Sequence, residues 1–260
     1  MKNIIKLFLV GAIFISGCAS VNIHALNQAN KEDTAVLCIG MGNGRYGACP
    51  GANYDATRMH KLLSKYSKNA TLLLEAQATK SVVIQKMQEA CKKDLAIIFY
   101  SGHGGERKQT AATKLNFPEA TGKDQTLCLY DNELLDDEIW AIVSNAKGRV
   151  VLICDCCHSG TMFRVPNLFG KQLEARQSDD LLSAAKEPNL WYLGGCIDQS
   201  YSYGGDDGGI LTNAILQYYK KNRTYDDVWR RIHHSNIINK TQQPQFAEFG
   251  KSFKDYTIFR

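Results

Sequence analysis

From Thr34 onward, short continuous apolar runs alternate with longer stretches whose apolar positions recur every three or four residues. The first kind predicts strands and the second helices. Ala35 to Met41 is an apolar run that ends in glycines and predicts a first strand. Asn53 to Tyr66 places Met59, Leu62 and Leu63 on one side of a predicted helix. Thr71 to Leu74 is a short strand, and Ser81 to Cys91 a helix with Ser81 as its cap. Leu95 to Tyr100 and Arg149 to Cys154 are the third and fourth strands, with a helix over Asp136 to Asn145 between them. Leu190 to Leu193 is a fifth strand. Ile210 to Tyr219 is a helix opened by glycines, Thr224 to Ile232 a helix capped by Thr224, and Tyr256 to Phe259 a last edge strand.

The strands are continuously apolar rather than alternating, so both faces of their sheet are expected to be covered by helices. Alternating strand and helix then predict one α/β domain over residues 34–260, three layers deep, around a mostly parallel sheet of about six strands. In such sheets ligands gather at the carboxyl ends of the strands. Two polar segments, Glu106 to Thr126 and Thr161 to Pro188, interrupt the pattern and are expected to be irregular loops.

The first residues follow another logic. Lys2 and Lys6 precede an apolar stretch from Leu7 to Ile15 that is too short to span a bilayer, as in a secretory signal. It ends in Ile15-Ser16-Gly17-Cys18, which resembles the lipobox of bacterial lipoproteins. That resemblance implies a signal peptide over residues 1–17, a lipidated Cys18 with a tether over residues 18–33, and a domain anchored to the membrane of a bacterial cell envelope, on its periplasmic or extracellular face. The alternative is an ordinary secretory signal in which Cys18 is incidental. Two acyl chains suffice to hold a folded domain at a membrane without a spanning helix.

Composition excludes little else. Of 260 residues, 44% are hydrophobic and 22% charged, the balance of an ordinary globular chain. The net charge of +5 is modest, and no basic stripe interleaved with aromatics is present, so no nucleic-acid partner is expected. Nine cysteines in an exported chain would permit disulfides, yet Cys38, Cys91, Cys154 and Cys196 lie in or beside apolar runs, where cysteine serves as a small hydrophobe. The sequence assigns no pairing.

Chemistry concentrates where two predicted strands end. Val150-Val151-Leu152-Ile153-Cys154 runs abruptly into Asp155-Cys156-Cys157-His158-Ser159-Gly160, and Ala96-Ile97-Ile98-Phe99-Tyr100 into Ser101-Gly102-His103-Gly104-Gly105. A thiol attacks a carbonyl only as thiolate and needs a base beside it. His103 is the candidate base. Its flanking glycines let backbone approach a substrate closely, and the Gly104 and Cys157 amides are candidate oxyanion donors. His158 adjoins Cys157 in sequence, so its side chain would point elsewhere on an extended strand, and it is read as structural.

These two segments resemble the signature motifs of metacaspases, within the caspase-like cysteine peptidases. The histidine lies about fifty residues before the cysteine, the spacing known for caspases. The resemblance spans roughly residues 34 to 260 and implies a caspase–haemoglobinase fold and a cysteine endopeptidase working through a Cys–His dyad and a thioester. The nucleophile immediately precedes His-Ser-Gly in that family, which selects Cys157 over Cys154 and Cys156. The resemblance further implies protein or peptide substrates cleaved after Arg or Lys, bound by acidic groups at Asp55 and Asp155 together with Ser101. Carboxylates are what a buried guanidinium requires. The simpler reading of those acids is a helix cap at Asp55 and a strand end at Asp155. Ala52 stands where the family often has cysteine. For a basic-specific enzyme, Lys171, Arg176 and Lys186 would be natural self-cleavage sites.

Cofactors are not required by this chemistry. Many metacaspases use Ca2+, and Asp136-Asp137-Glu138 resembles part of their acidic cluster, making Asp136 and Asp137 candidate metal ligands. Acids in a first helical turn also favour its positive end, and Arg164 stands where a further acid would be expected. The Cys154, Cys156, Cys157 and His158 group fits zinc spacing poorly. The glycines from Gly204 to Gly209 lack the Gly-Lys-Ser/Thr ending of a phosphate loop, and the resemblance places them in a substrate-side wall. The rival to an enzyme is a caspase-like scaffold without turnover; a thiol amidase would share the chemistry and differ in the pocket.

Overall fold

The computed structural model describes residues 31–110, 122–157, 159, 187–196, 204–205, 207–219, 223–235, 238, 242–251, 253, 256 and 257. The leader, Cys18 and its tether as far as residue 30, His158, and most of the Thr161 to Pro188 segment with Arg164, Lys171, Arg176 and Lys186 lie outside the described residues. Among the described residues the chain forms eleven strands, β1 to β11, and five α-helices, α1 to α5, in chain order.

A six-stranded sheet forms the middle layer, in the order β11 (Gln245–Phe249), β8 (Asn189–Gly194), β7 (Arg149–Asp155), β3 (Leu95–Ser101), β1 (Thr34–Gly40), β2 (Asn69–Leu74). All neighbours are parallel except β11 against β8. Every residue of β1 and β3 is buried, as the continuous apolar runs require. Side chains alternate between the faces. Val36, Cys38, Ile97, Phe99, Val151 and Ile153 pack under α1 (Ala52–Leu63), α4 (Ile210–Tyr218) and α5 (Tyr225–His233). Leu37, Ile39, Ile98, Leu152 and Leu190 pack under α2 (Lys80–Ala90) and α3 (Asp136–Ser144). Each such side chain stabilises the fold by roughly 1.5–3 kcal/mol relative to exposure.

The sheet's sixth strand is not where periodicity placed it. Of Tyr256 to Phe259, Ile258 and Phe259 lie outside the described residues and Thr257 bridges Thr224; the edge beside β8 is supplied by Gln245–Phe249. That segment opens on Gln245 and carries Glu248 between Phe246 and Phe249, and so lacks a continuous apolar run. The Glu106 to Thr126 stretch is also more regular than expected. Gly104–Lys108 (β4) and Lys123–Cys128 (β5) pair antiparallel, and Glu133–Leu135 (β6) completes a three-stranded sheet. Its strands hide behind polar residues: Asp124, Gln125 and Thr126 are buried, and Asp124 accepts a 2.6 Å bond from Gln109 Nε2. A two-residue hairpin, Gly204–Gly205 (β9) with Gly208–Gly209 (β10), leads into α4.

Helix starts follow local chemistry in one case and tertiary contact in another. Thr224 caps α5 by accepting from Asp227 N at 3.1 Å, as its sequence position suggests. The α2 helix begins at Lys80 rather than at Ser81, and its first amide donates to Asp131 Oδ1 at 2.7 Å. The cap therefore comes from a residue 51 positions away. Among the described residues no helix is long and apolar enough to cross a membrane. Asp131→Ala is expected to lower the unfolding free energy by about 1 kcal/mol in a urea titration, the usual contribution of an N-cap; no change would mean that water caps α2 equally well.

Candidate active site

The β3 and β7 strands end level. Their parallel register pairs Ser101 with Asp155. His103 and Cys157 each follow two residues later, on strands about 4.8 Å apart in the hydrogen-bonding direction. The register thus sets the two motif segments side by side at the strand ends.

Two buried tyrosines fix the turns beyond the strand ends. The Tyr100 hydroxyl lies 2.7 Å from the His103 carbonyl oxygen and 2.9 Å from that of Cys128. A Cβ on Gly102 would stand 2.6 Å from the same hydroxyl, so this turn tolerates only glycine there. On the other side, Tyr192 donates to the Ser159 carbonyl at 2.5 Å. Ser159 is fully buried, and its hydroxyl donates to the Cys156 carbonyl at 3.0 Å while accepting from Cys196 N at 3.3 Å. The serine of the His-Ser-Gly motif therefore fastens the cysteine turn to the end of β8.

The Gly104 backbone lies against Cys157. A Cβ at Gly104 would overlap the Cys157 carbonyl oxygen. Its amide direction follows from the ladder. Cys128 N donates to His103 O at 3.0 Å across the facing pair Gly104 and Leu127, so that pair is non-hydrogen-bonded. The Gly104 N–H accordingly points away from β5, off the outer edge of β4, which suits an oxyanion donor.

His103 is oriented by a group that sequence reading passed over. Its Nε2 lies 3.0 Å from the Ala48 carbonyl oxygen. A carbonyl can only accept, so Nε2 carries the proton and Nδ1 is the basic nitrogen. Gly47, at φ +100°, passes within 4.0 Å of Nε2, measured from where its Cβ would be. The loop holding Ala48 is itself clamped. Gly42 N donates to Asn53 Oδ1 at 3.1 Å, Asn43 N donates to the Glu75 carboxylate at 3.1 and 3.2 Å, and Asn53 Nδ2 also donates to Glu75. Glu75 has φ 48°, in the left-handed region that costs a non-glycine residue about 1–3 kcal/mol unless the surroundings enforce it. The glycine-rich sequence after β1 was the one visible sign of this loop.

Asp55, Ser101 and Asp155 meet at one side of the Cys–His pair. Asp55 is 1% exposed; its Oδ2 accepts from Ser101 Oγ at 3.1 Å and from Gly209 N at 2.8 Å. Its Oδ1 is paired with Arg58 at 2.6 Å. Asp155 Oδ2 accepts from Thr212 N at 2.9 Å and Thr212 Oγ1 at 2.7 Å, which caps α4 from outside its chain segment. Asp55 thus lies within α1 rather than capping it, and Asp155 does more than close a strand. Burial pushes the Asp55 carboxyl up to about 6, and the neighbouring Asp155 charge adds to the rise. The Gly209 amide and Arg58 act the other way. Gly208, at φ +93°, and Gly209 cross so close above the two carboxylates that a Cβ on either would collide with them.

Asp136 and Asp137 are not part of this group. They occupy the first turn of α3, under the opposite face of the sheet from α1, with Asp137 N donating to Asp136 Oδ1 at 3.0 Å. Among the described residues no cluster of three or more His, Cys, Asp or Glu is arranged to hold a metal ion. The acids there fit a helix start, and no step below passes through calcium.

Fold and site together define a caspase-like architecture, and the sequence comparisons agree. The chain belongs to the caspase domain family of peptidase C14, whose profile matches residues 35–252. It is 28% identical over 235 residues to Metacaspase-1 of Botryotinia fuckeliana, covering 82% of this chain and 52% of that protein. It is also 28% identical over 253 residues to Metacaspase-1B of Neurospora crassa, covering 89% and 55% respectively. The chain spans about half the length of the curated relatives it matches. The crystal structure of protein GSU0716 from Geobacter sulfurreducens shares the fold with a TM-score of 0.62 at 24% identity, covering 82% of this chain and 92% of that one.

Thiol environments separate the cysteines. Among the eight described, only Cys49 and Cys157 are not buried. Desolvation holds Cys154 and Cys156 far above the usual thiol range. Cys49 is pushed up to about 11, first by burial and then by the charges of Asp155, Cys157 and Asp55. Fewer than about one Cys49 in a thousand is then thiolate at about pH 7.5. Brief iodoacetamide treatment at that pH, followed by peptide mass spectrometry, is expected to label Cys157 well before Cys49. The reverse order would overturn the assignment of the nucleophile.

Proposed function

We propose that this chain is a cysteine endopeptidase that hydrolyses peptide bonds after Arg or Lys in protein substrates, held at a bacterial cell envelope by a lipid on Cys18. The observation that carries the catalytic part is the level ending of β3 and β7, with the Asp55–Asp155 pair beside it. Membership of a cysteine peptidase family supports the same chemistry.

In this mechanism His103 Nδ1 takes the Cys157 thiol proton, with Nε2 held by the Ala48 carbonyl. The thiolate adds to the scissile carbonyl carbon, and the Gly104 and Cys157 amides receive the developing oxyanion. The imidazolium then protonates the leaving amine as the C–N bond breaks, leaving a thioester on Cys157. Water, deprotonated by the same imidazole, attacks the thioester and releases the acid and the thiol. The substrate's cationic side chain lies towards Asp55 and Asp155, with the Ser101 hydroxyl as a further polar contact.

The intact pair of His103 and Cys157 favours turnover over a silent scaffold. Anchoring is supported by the sequence alone, through Lys2, Lys6, the apolar stretch to Ile15 and the Ile15-Ser16-Gly17-Cys18 motif.

The test uses the full chain in detergent with fluorogenic peptides carrying Arg, Lys, Asp or citrulline before the leaving group. Cleavage after Arg and Lys that disappears in Cys157→Ala is the expected result; silence with every substrate, from a folded and reduced protein, would favour the scaffold. The ratio of kcat/KM for Arg over its neutral analogue citrulline cancels the titration of the Cys–His pair. Asp55 is neutral below about pH 6 and ionised above it, so that ratio should be high at alkaline pH and fall as pH drops through about 6. Asp55→Asn should reduce it by roughly tenfold or more and flatten its pH dependence. A ratio indifferent to both would remove Asp55 from the pocket.

A further inference from the structure

Arg58 places a guanidinium of the chain's own on the carboxylate assigned to the substrate. It lies three residues after Asp55 on α1, and its Nη2 is 2.6 Å from Asp55 Oδ1. Its Nη1 donates to Asn213 Oδ1 on α4 at 2.7 Å, and Nη2 also reaches the Asp207 carbonyl at 3.3 Å. The guanidinium carbon sits 4.3 Å from the centre of the Tyr54 ring. A carboxylate, an amide, a carbonyl and an aromatic face make a set of partners fit to bind an arginine side chain. Here they hold a resident one. Above it runs Gly208, whose added Cβ would collide with both Asp55 Oδ1 and Arg58 Nη2, so the chain closes directly over the ion pair.

We propose that Arg58 is a specificity-determining residue, a built-in cation that competes with the substrate's side chain for Asp55 and so limits how strongly the site prefers positive charge. This rests on the reading of Asp55 and Asp155 as the acidic pocket. With Arg58 in place the pocket carries two carboxylates and one cation, and an incoming Arg or Lys brings it to neutrality. Without Arg58 the same two carboxylates face each other alone.

Two opposing effects follow, and pH separates them. Where both carboxylates are ionised, loss of Arg58 leaves a more negative pocket and a stronger preference for cations. Near pH 6 the order reverses. Arg58 is one of the groups that keep Asp55 ionised against burial and against Asp155, so without it Asp55 is protonated over a wider range. The other groups facing Asp55 are the Ser101 hydroxyl on β3, the Gly209 amide and the Cys49 thiol in the loop before α1. A merely structural ion pair would show no such reversal.

The experiment measures kcat and KM for matched Arg and citrulline peptides with the full chain in detergent, at about pH 8.5 and about pH 6. In Arg58→Gln the Arg-over-citrulline ratio is expected to rise about tenfold at the higher pH, through KM with little change in kcat, and to fall below wild type at the lower. Arg58→Lys should restore the wild-type ratio in part. Asn213→Ala, which releases only one nitrogen of the guanidinium, should shift the ratio in the same directions by less, and it decides the matter if Arg58→Gln does not fold. A ratio unchanged at both pH values, or lowered at both, overturns the proposal. The underlying pocket reading fails separately: a wild type that cuts neither peptide, or shows no preference for Arg at any pH, removes both. Loss of preference in Asp55→Asn with none of the Arg58 effects removes this inference alone.

Discussion

The candidate site depends first on the parallel register between β3 and β7. Parallel pairing has no hairpin to set it, so the register is fixed by what the two strands bury. Phe99 and Ile153 face α1 and α4, while Ile98 and Leu152 face α2 and α3, and a slip of one residue would turn each run inside out. With Ser101 opposite Asp155, the segments carrying His103 and Cys157 leave the sheet side by side. Core packing and catalytic geometry are therefore one constraint. The buried hydroxyls of Tyr100 and Tyr192 extend it past the strand ends, where hydrophobic pairing no longer acts.

A second constraint is electrostatic. Asp55 and Asp155 are carboxylates that a sheet-and-helix core would ordinarily exclude, and they persist because backbone and hydroxyl donors surround them. Besides the Ser101 hydroxyl on Asp55, those donors come from the start of α4: the Gly209 amide for Asp55, and the amide and hydroxyl of Thr212 for Asp155. The acids thus tie a distant stretch of chain across the strand ends. Their structural and binding roles need not conflict, since an oxygen that fastens Gly209 leaves the carboxylate's charge in place. The close approach of the chain over these groups is left to glycines, where an added Cβ would strike Asp55, Asp155 or Arg58.

Much of this was legible in the sequence where chemistry and period coincide. The parallel strands announced themselves as apolar runs, and His103, Gly104, Cys157, Asp55, Ser101 and Asp155 stood in motifs that folding gathers at one end of the sheet. Legibility failed where polar residues are buried or paired at a distance. The β4–β6 sheet was hidden because Asp124, Gln125 and Thr126 read as loop, and the β11 edge because Glu248 breaks its apolar run. Asp131 as the cap of α2 could not be seen at all, because its partner is remote in sequence. The first-turn acids of α3 show how a local pattern carries two readings: Asp136 and Asp137 suggest a ligand pair from sequence, and in the fold they stand at a helix start.

The least legible part of the site is a backbone carbonyl that no motif marks. The Ala48 carbonyl and the Gly104 amide are both backbone groups, but only Gly104 lies in a motif. Their positions depend on how neighbouring loops are held, and the two are held differently. Gly104 belongs to β4 and inherits its direction from the ladder with β5. Ala48 lies in an irregular loop, and the clamp on that loop converges on one carboxylate, Glu75, which itself sits at φ 48°. The tautomer of His103 therefore rests on a strained residue from the far end of β2. Damage to this clamp would leave the Cys–His pair in place yet free the imidazole to turn, and turning is enough to take the basic nitrogen away from the thiol.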